Sequence, residues 1–281
     1  MPACRYHLLN VFAESHFGGN PLAVFPDARG LDTATMQAIA RQLSLSETTF
    51  VTPSDKATVR VRIFTPGYEL PFAGHPTLGT AWLVNRLQRC GGQVTLELPA
   101  GIIPVAVGEH DATLTANAPA YRVGPGRTEL AEVLGIRAAD FAGEPTFVNC
   151  GTEQLMVPLA SSDAVSRCKP DYAGFERFAG NADGIAGAYV WAAEGAVWPA
   201  RYFWTQHGQV SEDYGTGSAC ANLGAYLLRQ GASLPLSQKI TQGYLTGREA
   251  ILGLQIDTDG CIKVSGRVID IGSGELLLPG R

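Results

Sequence analysis

The run from Ser211 to Tyr226 constrains the fold of this chain most, because it joins an acidic pair, a glycine-rich turn and an apolar helix. Ser218 is a good N-cap residue, and small and apolar residues follow it on nearly every side of the predicted helix. A helix without a solvated face must be buried. Its free backbone N–H groups, following the flexible Gly215-Thr216-Gly217 turn, are suited to binding an anion. We expect Asp213 at this helix start.

A second run of the same design begins at Phe72. Pro76 suits the first helical position, and His75 stands where a cap belongs. Apolar residues again surround the helix axis, namely Leu78, Ala81, Trp82, Leu83, Val84 and Leu87. Two buried helices with open N-termini predict two half-domains, with a single ligand site in a cleft between them.

Composition narrows the class of partner. The chain has 281 residues, of which 46% are hydrophobic, and this is enough for one large domain or two medium ones. The net charge is −5 with 17% charged residues and no basic cluster, which disfavours nucleic acid and anionic membranes and favours a small soluble ligand. The opening residues carry no signal-peptide pattern and no apolar run is long enough to cross a bilayer, so we expect a cytoplasmic protein.

The cysteines indicate neither a metal site nor a disulfide framework. All six are scattered, without a Cys-x-x-Cys pair and without a histidine at ligand spacing. We interpret most of them as small buried hydrophobic residues. No feature of the sequence calls for a metal or an organic cofactor.

Helices and strands alternate through the first half. Asp32 is the expected cap of a helix from Thr33 to Leu43, and strands are predicted at 59–64, 93–98, 102–107 and 112–116. Asn20 is either a turn residue or an amide facing the cleft. Glu47 stands at the entry to a strand, where spacing alone predicts a capping or solvated carboxylate.

A Pro- and Gly-rich stretch at 117–126 separates the halves. We place the N-terminal half-domain at 1–120 and the C-terminal one at 121–267, and the last strand, within 268–281, is a candidate to return to the first half. Three pairs of segments echo each other in order, which indicates a duplicated half-domain. They pair Glu47-Thr-Thr-Phe-Val with Glu153-Gln-Leu-Met-Val, Arg62-Ile-Phe with Arg201-Tyr-Phe, and Gly74-His75 with Gly217-Ser218.

These segments resemble the PhzF family, the isomerase of phenazine biosynthesis and its relatives, and the resemblance covers essentially the whole chain. The order and spacing of the runs together are specific. They are Gly19-Asn20-Pro21-Leu22-Ala23-Val24, Leu45-Ser46-Glu47-Thr48-Thr49-Phe50-Val51, Phe64-Thr65-Pro66, Glu69 through Gly79, and Glu212-Asp213 with Thr216-Gly217-Ser218-Ala219.

The resemblance implies an α+β protein of the diaminopimelate-epimerase-like fold, with two β-barrel-like half-domains each wrapped around a central buried helix. It implies that Glu47 is catalytic and that the protein is a homodimer. Gly74 and Gly217 are expected in tight turns beside the site. The implied substrate-binding set comprises His75, Asp213, Ser218, Gly74, Gly217, Asn20, Ser46 and Thr216. One departure leaves the substrate open: the family commonly has Pro-Ala after the aspartate, where this chain has Tyr214-Gly215.

The chemistry predicted from this set is a cofactor-independent proton shift. A glutamate in a partly dry cleft can take a proton from one carbon of a small carboxylate substrate and return it at another. Two alternatives remain: an amino-acid racemase or epimerase of the same fold, and a binding protein that has lost the reaction. Racemases of this fold use a cysteine at the start of each central helix, whereas Cys220 lies within the second helix here.

Overall fold

The computed structural model describes residues 3–181, 184–206 and 208–278. The chain divides into two compact units, Met1–Thr115 together with Ser265–Arg281, and Ala116–Val264. The half-domain bounds predicted from the sequence, 1–120, 121–267 and 268–281, include residues 1, 2, 182, 183, 207 and 279–281, which lie outside the described ranges.

In its described residues, the first unit contains one helix surrounded by strands and a second helix outside that strand layer. Asp32 accepts a hydrogen bond from the Thr35 N–H at 2.8 Å and caps α1, which confirms the predicted helix over residues 33–43. In chain order the elements are β1 Ala3–Val11, β2 Asn20–Phe25, α1 Thr33–Leu43, β3 Glu47–Thr52, β4 Val59–Phe64, β5 Glu69–Leu70, α2 Gly74–Gln88, β6 Gln93–Leu98, β7 Gly101–Val107 and β8 Asp111–Thr115.

The second unit begins with the exposed strand β9 and continues through a mixed sheet with four α-helices. Its elements are β9 Ala120–Val123, α3 Arg127–Leu134, a 3₁₀ turn Ala138–Asp140, β10 Thr146–Asn149, β11 Glu153–Leu159, α4 Ser162–Arg167, α5 Tyr172–Ala179, β12 Gly187–Ala192, β13 Val197–Gln206, β14 Gln209–Asp213, α6 Gly217–Arg229, β15 Leu236–Gln242 and β16 Ala250–Ile256. The last strand, β17 Ile262–Leu277, carries the chain back to the first unit.

Eight strands close around α2 in the first unit. The order is β1, β2, β3, β4, β6, β7, β8 and β17, and β17 returns to pair with β1 from Val268 to Leu277. Every residue of α2 from Gly74 to Val84 is buried, and the helix packs against β1, β2, β3, β6, β7 and β8. A Cβ at Gly79 would lie 2.7 Å from Leu22 Cδ2, so glycine permits the close approach of helix and barrel.

The second unit places α6 against β10, β11 and β16. Ten of its thirteen residues are buried, as the all-round apolar sequence predicts. The opposite face of the sheet carries a separate core with α3, α4 and α5, which includes Leu155, Ala188, Val190 and Phe203. The α+β fold class, with a strand layer around one central helix in each unit, is confirmed. No helix in the described part of the chain is long and apolar enough to cross a lipid bilayer.

The two units repeat one strand order. In the first unit β2 and β3 are parallel, β3 and β4 antiparallel, β5 is added to β4, and β4 is parallel to β6. In the second unit β11, β12, β13, β14 and β15 follow the same pattern. Strand β3 therefore corresponds to β12, and β4 to β13.

This correspondence corrects one of the three sequence echoes. Arg62 and Arg201 do lie on equivalent strands, and each forms a two-pronged ion pair with a glutamate on the next strand, Glu69 or Glu212. The echo of Glu47 with Glu153 is wrong, because Glu153 begins β11, the counterpart of β2. A similar pattern of β-branched and apolar residues on neighbouring strands produced the false match.

Candidate active site

Glu47 and His75 meet inside the first unit. Glu47 is the first residue of β3, and His75 is the second residue of α2, whose start lies beside that strand end. The Oε2 atom of Glu47 lies 3.5 Å from Nε2 of His75, and the two side chains are 16% and 5% exposed. The fold therefore places Glu47, the predicted acid–base residue, next to His75, which was predicted to lie in the same site.

Burial fixes the protonation state of His75. It lowers the pKa of the imidazole to about 3, against a smaller upward effect of the hydrogen bond to the Pro21 backbone. Because proline has no backbone donor, the ring N–H donates to the Pro21 carbonyl. The Nε2 atom has no hydrogen-bond partner among the described residues. The ring is therefore neutral at pH 7 and presents a lone pair toward Glu47, so the contact is not an ion pair.

Asn20 and Ser46 lie next to this pair. The Ser46 hydroxyl donates to the Asn20 side-chain oxygen at 3.3 Å. Asn20 begins β2 and is fully buried, while Leu22 on the same strand pairs with Glu47 of β3. The chain thus collects Asn20, Ser46, Glu47, Gly74 and His75 at one end of the first unit.

The second unit holds the other predicted site residues at the start of α6. The Thr216 hydroxyl donates to Oδ2 of Asp213 at 2.5 Å. Gln242, fully buried at the end of β15, donates from Nε2 to the Asp213 carbonyl and to the Thr216 hydroxyl oxygen, both at 2.9 Å. It also accepts from the Thr216 N–H at 3.0 Å. Gln242 was not predicted from the sequence, since it is 26 residues from Thr216 and no local motif marks it.

A second buried network orients Ser218. Gln154 on β11 donates to Ser218 Oγ at 2.9 Å, and Asn222, one turn further along α6, donates to the other end of the same amide at 2.8 Å. Asn222 is fixed in turn by the Cys150 N–H and the Thr152 carbonyl. Because Ser218 Oγ accepts from Gln154, its own O–H is directed elsewhere and can donate to a ligand.

Both central helices begin two residues before the sequence-based expectation. The N-cap residues are Ala73 and Thr216, and neither makes a side-chain capping hydrogen bond. His75 and Ser218 are therefore the second residues of their helices rather than caps, and their side chains bond Pro21 and Gln154. The peripheral helices α1, α4 and α5, by contrast, are capped by Asp32, Ser161 and Asp171.

The expectation of tight turns at the two site glycines is wrong. Gly74 and Gly217 are the first residues of α2 and α6, and neither has a positive φ angle. Both are buried. They place the first backbone N–H groups of each helix without a side chain in front of them, which suits an anionic group at the helix start.

The cysteines are unsuited to racemase chemistry. Cys220 lies in the second turn of α6 and is fully buried, and burial raises the pKa of its thiol to about 12. The α2 start carries Gly74 and His75 in place of a cysteine. Burial also raises the pKa of the Cys150 thiol to about 12. A pair of thiolates is therefore not formed at the two helix starts.

Tyr214, the departure noted from the sequence, is half-buried. The Arg248 guanidinium carbon lies 5.5 Å from the centroid of its ring, within cation–π range. The ring that replaces the usual proline is thus held beside a cation rather than packed in the core.

A layer of strands surrounds one central helix in each unit, and two solved proteins share this fold. A predicted epimerase from Pseudomonas aeruginosa superimposes with a TM-score of 0.83 at 33% identity, over 98% of this chain and all of that one. A PhzF-family protein from Bacillus anthracis superimposes with a TM-score of 0.86 at 25% identity, over 99% of this chain and all of that one.

The chain belongs to the PhzC-PhzF family, described as phenazine biosynthesis-like protein, whose model matches residues 9–272. It is 40% identical to an uncharacterized isomerase of Pasteurella multocida, over 98% of this chain and 94% of that protein. It is 33% identical to trans-2,3-dihydro-3-hydroxyanthranilate isomerase of Pseudomonas fluorescens, over 98% of this chain and 99% of that protein. Its class is therefore isomerase.

Proposed function

We propose that this isomerase shifts a proton between two carbon atoms of a small carboxylate-bearing substrate, and that Glu47 carries the proton. The observation that supports the proposal is the placement of Glu47 beside neutral His75, with both side chains largely removed from water. The Nε2 lone pair of His75 lies 3.5 Å from Oε2 of Glu47 and can accept a hydrogen bond from the carboxyl group once Glu47 has taken a proton. Glu47 can then return that proton to a different carbon, so no second acid is required.

Substrate binding is assigned to the start of α6. The first N–H groups of this thirteen-residue helix have no side-chain cap, and the Ser218 hydroxyl is oriented by Gln154. These donors suit a substrate carboxylate. Asp213, held by Thr216, suits a substrate amine or hydroxyl. The substrate class is therefore a small carboxylic acid with a second polar substituent.

The named relative supplies a probe. We would incubate the protein with trans-2,3-dihydro-3-hydroxyanthranilate in deuterated water and follow double-bond position and deuterium incorporation by NMR. A panel of cyclic amino acids and other small carbon acids extends the search. Isomerisation or exchange on any member supports the enzyme. Absence of exchange across the whole panel would instead favour a binding protein.

Glu47→Gln keeps the size of the side chain but cannot accept the proton. We expect turnover to fall by about 10²–10⁴-fold, with substrate binding retained. The matched control is Glu69→Gln, in which another half-buried glutamate of the same unit loses part of its ion pair with Arg62. The control should lower the unfolding midpoint while leaving turnover per folded molecule intact. Near-normal turnover of the folded Glu47→Gln variant would refute the catalytic assignment.

A further inference from the structure

The repeated strand order shows which residue of the second unit corresponds to Glu47. Thr48 on β3 pairs with Phe64 on β4, and Ala188 on β12 pairs with Phe203 on β13. The two phenylalanines are equivalent, because each follows the repeated arginine of the Arg62–Glu69 or Arg201–Glu212 ion pair by two residues. Thr48 and Ala188 are therefore equivalent. The residue before each of them is Glu47 in the first unit and Gly187 in the second.

Gly187 has no side chain, and Tyr202 fills the space. A Cβ built on Gly187 would overlap the Tyr202 hydroxyl and would lie 3.1 Å from Cζ of the same ring. Tyr202 on β13 pairs directly with Asp213 of β14 on one side and with Tyr189 of β12 on the other. These three side chains therefore share one face of the sheet.

That face is the one covered by α6. Tyr202 and Phe203 are consecutive residues of β13, so their side chains point to opposite faces of the sheet. Phe203 lies in the core on the other face, together with Ala188 and Val190. On the α6 side, Gln154 holds Ser218, and Trp191 packs edge-to-face on Tyr226 of α6. Tyr202 is half-buried, whereas Tyr189 beside it in the same row is fully buried.

We propose that the Tyr202 hydroxyl takes, in the second unit, the place that the Glu47 carboxylate takes in the first, and that it hydrogen-bonds an oxygen of the substrate. This inference rests on the proposed isomerase function. A phenol at this position donates a hydrogen bond without adding a second negative charge beside Asp213. Tyr202 donates to an oxygen of the carboxylate that we assign to the start of α6 in the same unit, and the acid–base role stays with Glu47.

The first test removes the hydroxyl. Tyr202→Phe should lower kcat/KM for trans-2,3-dihydro-3-hydroxyanthranilate by about 10- to 100-fold, the loss expected for one hydrogen bond to a charged oxygen. Its unfolding midpoint should stay within about 2 °C of the parent. Tyr189→Phe is the matched control, since that hydroxyl lies in the same row but is fully buried without a hydrogen-bond partner among the described residues. It should keep full turnover.

The second test displaces the hydroxyl without removing it. Gly187→Ala places a methyl group where the Tyr202 hydroxyl lies, so it should reproduce most of the loss. In the Tyr202→Phe background the same alanine should cost little more turnover, because the hydroxyl that it displaces is already gone. Additive losses, or a lowered unfolding midpoint with unchanged turnover per folded molecule, would overturn the inference and leave Tyr202 a packing residue.

A binding measurement separates this inference from the proposed function. Anthranilate, an aromatic carboxylate with no proton to shift, serves as the probe in calorimetry, and Tyr202→Phe should weaken its binding by about 3- to 10-fold while Glu47→Gln leaves it nearly unchanged. Full turnover in Glu47→Gln, together with weakened anthranilate binding in Tyr202→Phe, would reject Glu47 as the base and retain Tyr202 as a binding residue. The reverse pattern, with anthranilate binding unchanged in Tyr202→Phe, would reject Tyr202 alone.

Discussion

His75 makes the stability of the protein depend on pH. Its pKa is about 3 in the folded chain and about 6.5 in an unfolded one, so between these values the unfolded state binds a proton that the folded state does not. The contribution of this residue to the free energy of unfolding is therefore largest above pH 6.5 and falls as the pH drops toward 3. Between pH 6.5 and pH 3, the contribution of His75 to the free energy of unfolding changes by about 5 kcal/mol.

Urea unfolding at pH 7 and pH 4.5 measures this effect at the residue scale. The parent should lose about 2–3 kcal/mol more than His75→Asn between the two pH values, because asparagine does not titrate. Carboxylates distant from His75 are common to both proteins, so their contributions to acid unfolding cancel. Equal losses in the two proteins would mean that the folded chain protonates His75 near its ordinary pKa.

At the scale of the element, the start of α6 depends on a residue from β15. Gln242 bonds the Asp213 carbonyl, the Thr216 N–H and the Thr216 hydroxyl, and that hydroxyl holds the Asp213 carboxylate. Gln242→Glu keeps the acceptor for the Thr216 N–H but loses both donated bonds. We expect KM to rise about tenfold with a smaller change in kcat, because Asp213 is no longer held in one position.

Two further variants control this prediction. Gln238→Glu changes a half-buried glutamine on the same strand, which donates to the Ala196 and Lys239 carbonyls, and it should leave KM unaltered. Gln242→Leu removes all three bonds and should destabilise the protein by about 2–4 kcal/mol, as expected for buried groups left without partners. An unchanged KM in a folded Gln242→Glu protein would show that the network only supports the helix.

At the scale of the whole molecule, the duplicated ion pairs should contribute unequally to stability. Arg201 is 9% exposed, bonds Glu212 twice, and also donates to the carbonyls of Val165, Ser166 and Cys168 at the end of α4. Arg62 is 26% exposed and bonds Glu69 and Thr33. Arg201 is therefore more deeply buried than Arg62, and its removal leaves more hydrogen-bond acceptors without a donor, although the two arginines occupy equivalent positions.

We expect Arg201→Met to lower the free energy of unfolding by about 3–5 kcal/mol and Arg62→Met by about 1–2 kcal/mol. Chemical denaturation of the two variants side by side provides the measurement. Adding Glu212→Leu to Arg201→Met should recover part of the loss, since it removes the buried charge left behind. Equal costs at the two positions would show that the helix carbonyls add nothing to the Arg201 contribution.

Local sequence was sufficient to predict individual helices and strands and the burial of the two central helices. Asp32 with the apolar positions Met36, Ile39 and Ala40 was sufficient for α1, and alternation was sufficient for the strand 93–98. The all-round apolar character of α2 and α6 likewise predicted their burial. These features depend on neighbours within a few residues, so they can be read along the chain.

Tertiary structure decided which distant residues meet. Gln242 and Gln154 bond residues of the α6 start that are 26 and 64 residues away, and Tyr202 lies beside Asp213 because β13 pairs with β14. The segments around these three residues carry no mark of these contacts. The same cause explains two of the three wrong expectations. His75 and Ser218 look like caps in the sequence, but the folded helices begin one residue before each of them. Glu153 resembles Glu47 in its local sequence, but the strand order assigns it to a different strand. Sequence specifies local conformation through short-range sterics and polarity, whereas the partners of a buried polar group are set only when the strands are in register.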